Sequence, residues 1–270
     1  PGGYDYCASA GCSSEDNNPM DTDGHGTHVA GIVGSTNLNY KGVAPDSKLI
    51  PMKVCADSSD CGTSAIAKGV DWCVNNATTY DIKVITISLY DSGEYTSSDC
   101  NPIGKRTATS AINNAYDLGI FVDAISGNNG HNGGISWPGC TRGATSVGAT
   151  NKSDSVWPYT NTYTNLDLLA PGVSIMSANY NWESGPDFVS LTGTSMAAPH
   201  VAGTAALLLE KNSSLTPDQI ENALKTTGTP IGPYPRINAL AAINSIDAIG
   251  EEEQLSDCTE SGYDQCIEYT

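Results

Sequence analysis

Basic side chains are scarce. Twelve Lys and Arg stand against thirty Asp and Glu in 270 residues, giving a formal charge of −18 and a pI near 4.2. That balance excludes a nucleic-acid-binding surface or a basic helix lying on a membrane, since both need a concentrated positive field. Long apolar runs are missing too, and nothing approaches the ~18 residues that a membrane span requires. The first residue is Pro rather than Met, and the basic-then-apolar pattern of a secretory leader does not follow it, so the sequence reads as a processed or truncated chain. There is no internal repeat, and charged residues make up only 16%, a loop-rich rather than a charge-rich surface.

What is present is 39% apolar residues, 28 Gly, 14 Pro and 9 Cys. The apolar content suits one well-buried core and is too high for disorder. Several of the cysteines are closely spaced, which points to an oxidising, extracellular location.

Short β-like runs alternate with longer helical ones, the pattern of an α/β fold with a mostly parallel sheet flanked by helices. Strands are expected over 48–54, 84–89, 120–126, 146–150 and 166–169. Helices are expected over 64–77, where Ile66, Val70, Cys73, Val74 and Ala77 share one face, over 107–119, ended by Gly119, and over 195–211. A further helix over 216–227 has Thr216 and Pro217 where a helix start prefers them. The core is expected to end near Ile249. That defines a domain over 1–249 and an acidic, Cys-containing tail or linker over 250–270.

Three segments carry chemistry. In Gly193-Thr-Ser-Met-Ala-Ala-Pro-His-Val-Ala-Gly203, Ser195 opens a helix of very small residues, where free N–H groups and the helix dipole favour a developing negative oxygen. The plain alternative is an ordinary helix start. In Asp21-Thr-Asp-Gly-His-Gly-Thr-His-Val-Ala-Gly31, His25 is a candidate general base, its pKa near neutrality. A zinc pair of His25 with His28 lacks the intervening Glu and a third ligand. His28 and His200 read as packing histidines. In Ser126-Gly-Asn-Asn-Gly130 the Asn128 amide is a candidate oxyanion donor, against a turn built only for its backbone.

In this order the three segments resemble the subtilisin-like serine proteases (subtilases). Gly42-Val-Ala-Pro45, Ile87-Ser-Leu89, Trp137-Pro-Gly139, Leu168-Leu-Ala-Pro-Gly172 and Arg236-Ile-Asn-Ala239 add to the resemblance, which runs over roughly 2–249. It implies a subtilisin-like three-layer sandwich and a secreted serine endopeptidase forming an acyl-enzyme on Ser195. His25 would be its base, and Asn128 with the Ser195 N–H its oxyanion hole. Substrate would be bound by Ser88, Leu89 and Tyr90 on one side and Ile125, Ser126 and Gly127 on the other. Tyr90 and Ile125 would narrow the primary slot towards slender side chains. The alternative is a non-catalytic subtilase-like binding module.

The resemblance also implies polypeptide substrates, an N-terminal propeptide in the parent, a monomer, no organic cofactor and structural calcium. For that ion Asp5, Asp16, Asn18 and Asp21 supply hard oxygen ligands. Short separations suggest the bridges Cys7–Cys12, Cys55–Cys61 and Cys258–Cys266. Cys100–Cys140 would join segments flanking the substrate slot, leaving Cys73 as a buried thiol or a partner of Cys100 or Cys140.

One element is absent. The family's triad runs Asp, His, Ser, with the Asp at a strand end well before the His, and no Asp-Ser-Gly or Asp-Thr-Gly lies among the 24 residues preceding His25. Asp5 and Asp21 stand in the wrong local context, and Asp91-Ser-Gly93 falls on the wrong side of His25. The chain as given is therefore expected to lack its first strand and triad acid, and to be inactive.

Overall fold

The computed structural model describes residues 3–56, 61–181 and 183–246. In chain order its elements are β1 (Tyr4–Asp5), α1 (His25–Gly34), β2 (Met52–Lys53), α2 (Thr63–Asn75), α3 (Ala77–Tyr80), β3 (Val84–Ile87), α4 (Arg106–Asp117), β4 (Phe121–Ile125) and β5 (Thr145–Thr150). There follow β6 (Leu168–Pro171), β7 (Ile175–Ala178), β8 (Phe188–Leu191), α5 (Thr194–Lys211), α6 (Pro217–Thr226), β9 (Thr229–Ile231) and β10 (Tyr234–Arg236). Residues 239–246 are helical.

The sheet runs β3-β4-β5-β6-β10-β9, parallel from β3 through β10 and antiparallel only at the β9–β10 hairpin. Every residue of β4 and β5 is buried, as a parallel sheet covered on both faces requires. Strand alternation divides that burial. Phe121 and Ile125 join the core beneath α5 and α6, whereas Val122 and Ala124 face the core under α2 and α4. Helix, sheet and helix make the three-layer α/β sandwich anticipated from the sequence.

Small residues set the close approaches. Ala197, Ala198, Val201 and Ala205 lay α5 flat on the sheet. A Cβ on Gly203 would lie 2.6 Å from the Val43 side chain. Helix α6 begins with a full capping box, in which Thr216 accepts from Gln219 N–H and the Gln219 side chain accepts from Thr216 N–H.

Strands β1 and β2 form a separate parallel pair, so the long strand expected over 48–54 shrinks to Met52–Lys53. Among the described residues β3 has a neighbour on one side only, β4. Three of its four residues are half-buried where β4 is wholly buried. Cys7–Cys12, Cys55–Cys61 and Cys100–Cys140 are bridged, and Cys73 is a buried free thiol that burial pushes up to about 11. The 250–270 tail and the Cys258–Cys266 pair lie outside the described residues.

Candidate active site

Ser195 is the second residue of α5, reached through extended backbone at Gly193, and it is 7% exposed. Its hydroxyl donates to the Ser88 carbonyl at 3.4 Å, while the Ser88 hydroxyl donates to the Ser195 carbonyl at 3.0 Å. This reciprocal pair ties the end of β3 to the start of α5. Among the described residues the Ser195 Oγ makes no hydrogen bond with His25, a loose geometry common in sites without substrate.

Asn128 stands beside it. Its Oδ1 accepts from Thr194 N–H at 2.9 Å and from Thr194 Oγ1 at 2.7 Å. With the oxygen spent on Thr194, the amide Nδ2 is left as a donor at the helix start. Among the described residues the Ser195 N–H bonds to no acceptor outside its helix, and as the second residue of α5 it has none within it, so both donors remain available near the helix start.

The turn carrying Asn128 has a support that the sequence reading missed. Asn161 is fully buried, and its Oδ1 accepts from the N–H groups of Asn129 at 2.9 Å and His131 at 3.1 Å. Its Nδ2 donates to Ser136 Oγ, and its backbone N–H donates to the Gly127 carbonyl. A Cβ on Gly127 would lie 2.4 Å from that Nδ2, and Gly127 holds φ +106°, so both space and conformation demand glycine there. Asn161→Ala is expected to leave two turn donors unpaired and to take from the Ser136 hydroxyl one of its two hydrogen bonds. The stability loss is about 2–4 kcal/mol by urea unfolding, together with a fall in kcat larger than any change in KM, because the Asn128 amide drifts.

His25 opens α1 and is half-buried. Burial lowers its pKa below the ordinary histidine value against the raising pull of Asp23 and Asp21. Among the described residues its ring makes no hydrogen bond or ion pair with a carboxylate. His28 is buried beneath it with Nε2 between the carbonyls of Ile175 and Val189, 3.1 Å from each. His200 Nδ1 lies 2.8 Å from the Met196 carbonyl.

Among the described residues Leu89 and Tyr90 make no backbone–backbone hydrogen bond, which leaves that edge open. Two expectations need correction. Ile125 is fully buried in the core under α5, and Tyr90 is 38% exposed, so Ile125 does not narrow the slot. Ser126 does not offer free backbone, because its N–H donates to Val147 and its carbonyl accepts from Ser136 N–H.

The calcium ligands expected at Asp5, Asp16, Asn18 and Asp21 are not gathered into a cage, and no such group forms among the described residues. Asp5 is buried against Lys53 Nζ at 2.7 Å, a cation where a metal would need open oxygen. Asp16 Oδ1 accepts from Asn18 N–H. Asp21 accepts from the N–H groups of Asp23, Gly24 and Thr27 and from Thr27 Oγ1, which holds its carboxyl below the usual range although burial pushes the other way. It caps α1, whose N-cap residue Gly24 has no side chain for the task. These residues do not fit a calcium ion.

A serine at a helix N-terminus with an asparagine amide beside it, and a histidine opening the helix α1 that packs on α5, make an arrangement able to serve acyl transfer. A match to the subtilase family (peptidase S8) runs over residues 3–250. The chain is 39% identical over 215 residues to Subtilisin Savinase of Lederbergia lenta, covering 79% of this chain and 73% of that protein. It is equally similar to an alkaline protease of Alkalihalobacillus alcalophilus, of which it spans only 52%. Among solved structures, a protease of Pseudoalteromonas arctica PAMC 21717 superposes with a TM-score of 0.76 at 28% identity, covering 91% of this chain and 84% of that one. The chain belongs to the subtilase family of serine endopeptidases.

Proposed function

We propose that this chain is the body of a secreted serine endopeptidase that cleaves extended polypeptides through an acyl-enzyme on Ser195. The observation that carries the reading is the arrangement of Asn128: its oxygen is held by Thr194, so its amide faces the Ser195 helix start. An incoming strand pairs with the open backbone at Leu89 and Tyr90, bringing its carbonyl over Ser195. His25 takes the hydroxyl proton and returns it to the leaving amine. The tetrahedral oxyanion is met by Asn128 Nδ2 and the Ser195 N–H, a donor pair of which each member is worth about 10²–10³ in kcat, a range set by work on subtilisin itself.

The third member of the triad is an Asp on a strand that pairs with the open edge of β3. That acid comes from outside these 270 residues. The enzyme works as a secreted monomer matured from a propeptide form, a reading supported by three disulfides and by the family. A fluorophosphonate probe applied to the full-length protein is expected to label Ser195, with labelling abolished in Ser195→Ala and slowed in His25→Ala. A folded full-length protein that takes up no label would instead mark a binding module.

A further inference from the structure

Beyond Ser88–Tyr90 the chain does not simply leave the substrate edge. Asp91 N–H donates to the Trp137 carbonyl at 2.9 Å, Tyr95 and Ile135 exchange backbone hydrogen bonds, and Ser136 N–H donates to the Ser126 carbonyl at 2.8 Å. Residues 135–137 are therefore bonded both to the 91–95 segment and to Ser126, bridging the two segments of the proposed substrate slot. Asp91 sits at that junction, where one of the two meets the bridging residues.

Its half-buried carboxylate is held by neutral donors alone. Oδ1 accepts from Gly93 N–H at 3.0 Å and from Trp137 N–H at 3.3 Å, and Oδ2 accepts from the Tyr95 hydroxyl at 3.0 Å. Tyr95 is a dependable donor, since burial and the adjacent Asp91 push its pKa up to about 12. No cation pairs with Asp91 among the described residues. Lys105, the cation over the Trp137 indole, bonds to Thr63 instead. The nearby Glu94 accepts from Gly133 N–H and has the His131 ring 3.7 Å from its other oxygen. Ser136 Oγ donates to the Gly93 carbonyl and fixes the 91–95 turn from beneath.

A carboxylate that is partly withdrawn from water, fixed by three donors and given no counter-ion is a preorganised partner for a cation brought by the ligand. We propose that Asp91 is the specificity determinant at the base of the primary subsite, and that it selects substrates with Lys or Arg on the acyl side of the scissile bond. This inference rests on the peptidase reading above. It replaces the slender-side-chain expectation, because the feature at the base of the proposed subsite is a charge rather than a bulky wall. A guanidinium forms the stronger partner, since it can meet Asp91 with two parallel N–H donors.

The test uses the full-length protein with tetrapeptide p-nitroanilides differing only in the P1 residue, Arg or Phe, and with p-aminobenzamidine as a fluorescent probe whose binding needs no turnover. The wild type is expected to favour P1 Arg. Asp91→Asn keeps acceptors for Gly93 and Trp137, and is expected to lower kcat/KM for P1 Arg by about 10²-fold while P1 Phe changes little. p-Aminobenzamidine is expected to bind the wild type more tightly than neutral p-aminobenzamide, a comparison that stands even if the variant fails to fold. A wild type that prefers P1 Phe and binds the two probes equally overturns the inference while leaving the peptidase reading intact. A protein that neither labels with fluorophosphonate nor cleaves either substrate overturns both.

Discussion

A gap of about 10⁴-fold in kcat is expected between the 270 residues alone and a longer form carrying an Asp at the end of a strand paired with β3. Three observations set this size. On the proposed reading, residual turnover comes from Ser195, the two amide donors and the His25 imidazole. The His25 ring has no carboxylate partner among the described residues, so nothing selects the tautomer that leaves Nε2 free to accept. Burial already lowers the His25 pKa, and the imidazolium formed during acylation lacks the opposite charge that would stabilise it. The pH profile separates this cause from simple misfolding. A neutral imidazole persists to lower pH when its pKa is depressed, so the acid limb of kcat/KM in the short form should fall below that of the longer form, where the added carboxylate raises the His25 pKa. Active-site titration followed by kcat measurement on both forms makes the comparison. Equal rates per titrated site would mean that some described carboxylate already serves as the acid.

The parts of the fold legible in the sequence are those where local signals agree. Strand β4 announces itself by an apolar run broken only at Asp123, and α6 by Thr216, Pro217 and Gln219 at its start. The β7–β8 hairpin gives no such signal. Its strands of four residues are half-buried, with Met176 39% exposed and Leu191 37% exposed, and their job is to present carbonyls to His28. The site divides the same way. Ser195, His25 and Asn128 are legible because each sits at a helix start or a glycine turn whose chemistry is local. Asn161 acts on a turn about thirty residues away and has no local signature. Asp21 was readable as an oxygen ligand, yet its oxygens are consumed by α1, an arrangement that depends on Gly24 offering no cap of its own.

A second large effect is expected from Asp123, the one charged residue in β4, which is fully buried in the midst of apolar neighbours. Oδ1 accepts from Thr86 Oγ1 at 2.8 Å, and Oδ2 has no partner among the described residues. Burial raises its pKa well above the carboxylate value, opposed by the Thr86 hydrogen bond. The unfolded chain holds this group near the ordinary value, so the folded state binds a proton that the unfolded state releases. Stability from Asp123 is thus fully present below the unfolded pKa and is lost as pH rises through the folded one. Asp123→Val removes both the titration and the cost of the unpaired oxygen, at the expense of the Thr86 hydrogen bond. At pH 8 the variant is expected to melt about 2–8 °C above wild type, the shift that ~1–2 kcal/mol produces in a domain of this size. At pH 4 the difference should close or reverse, because protonated Asp123 is neutral and keeps Thr86 paired. Differential scanning fluorimetry across pH 4–8 reads both limits, and a melting difference that does not change with pH would show that Asp123 titrates alike in the folded and unfolded chain.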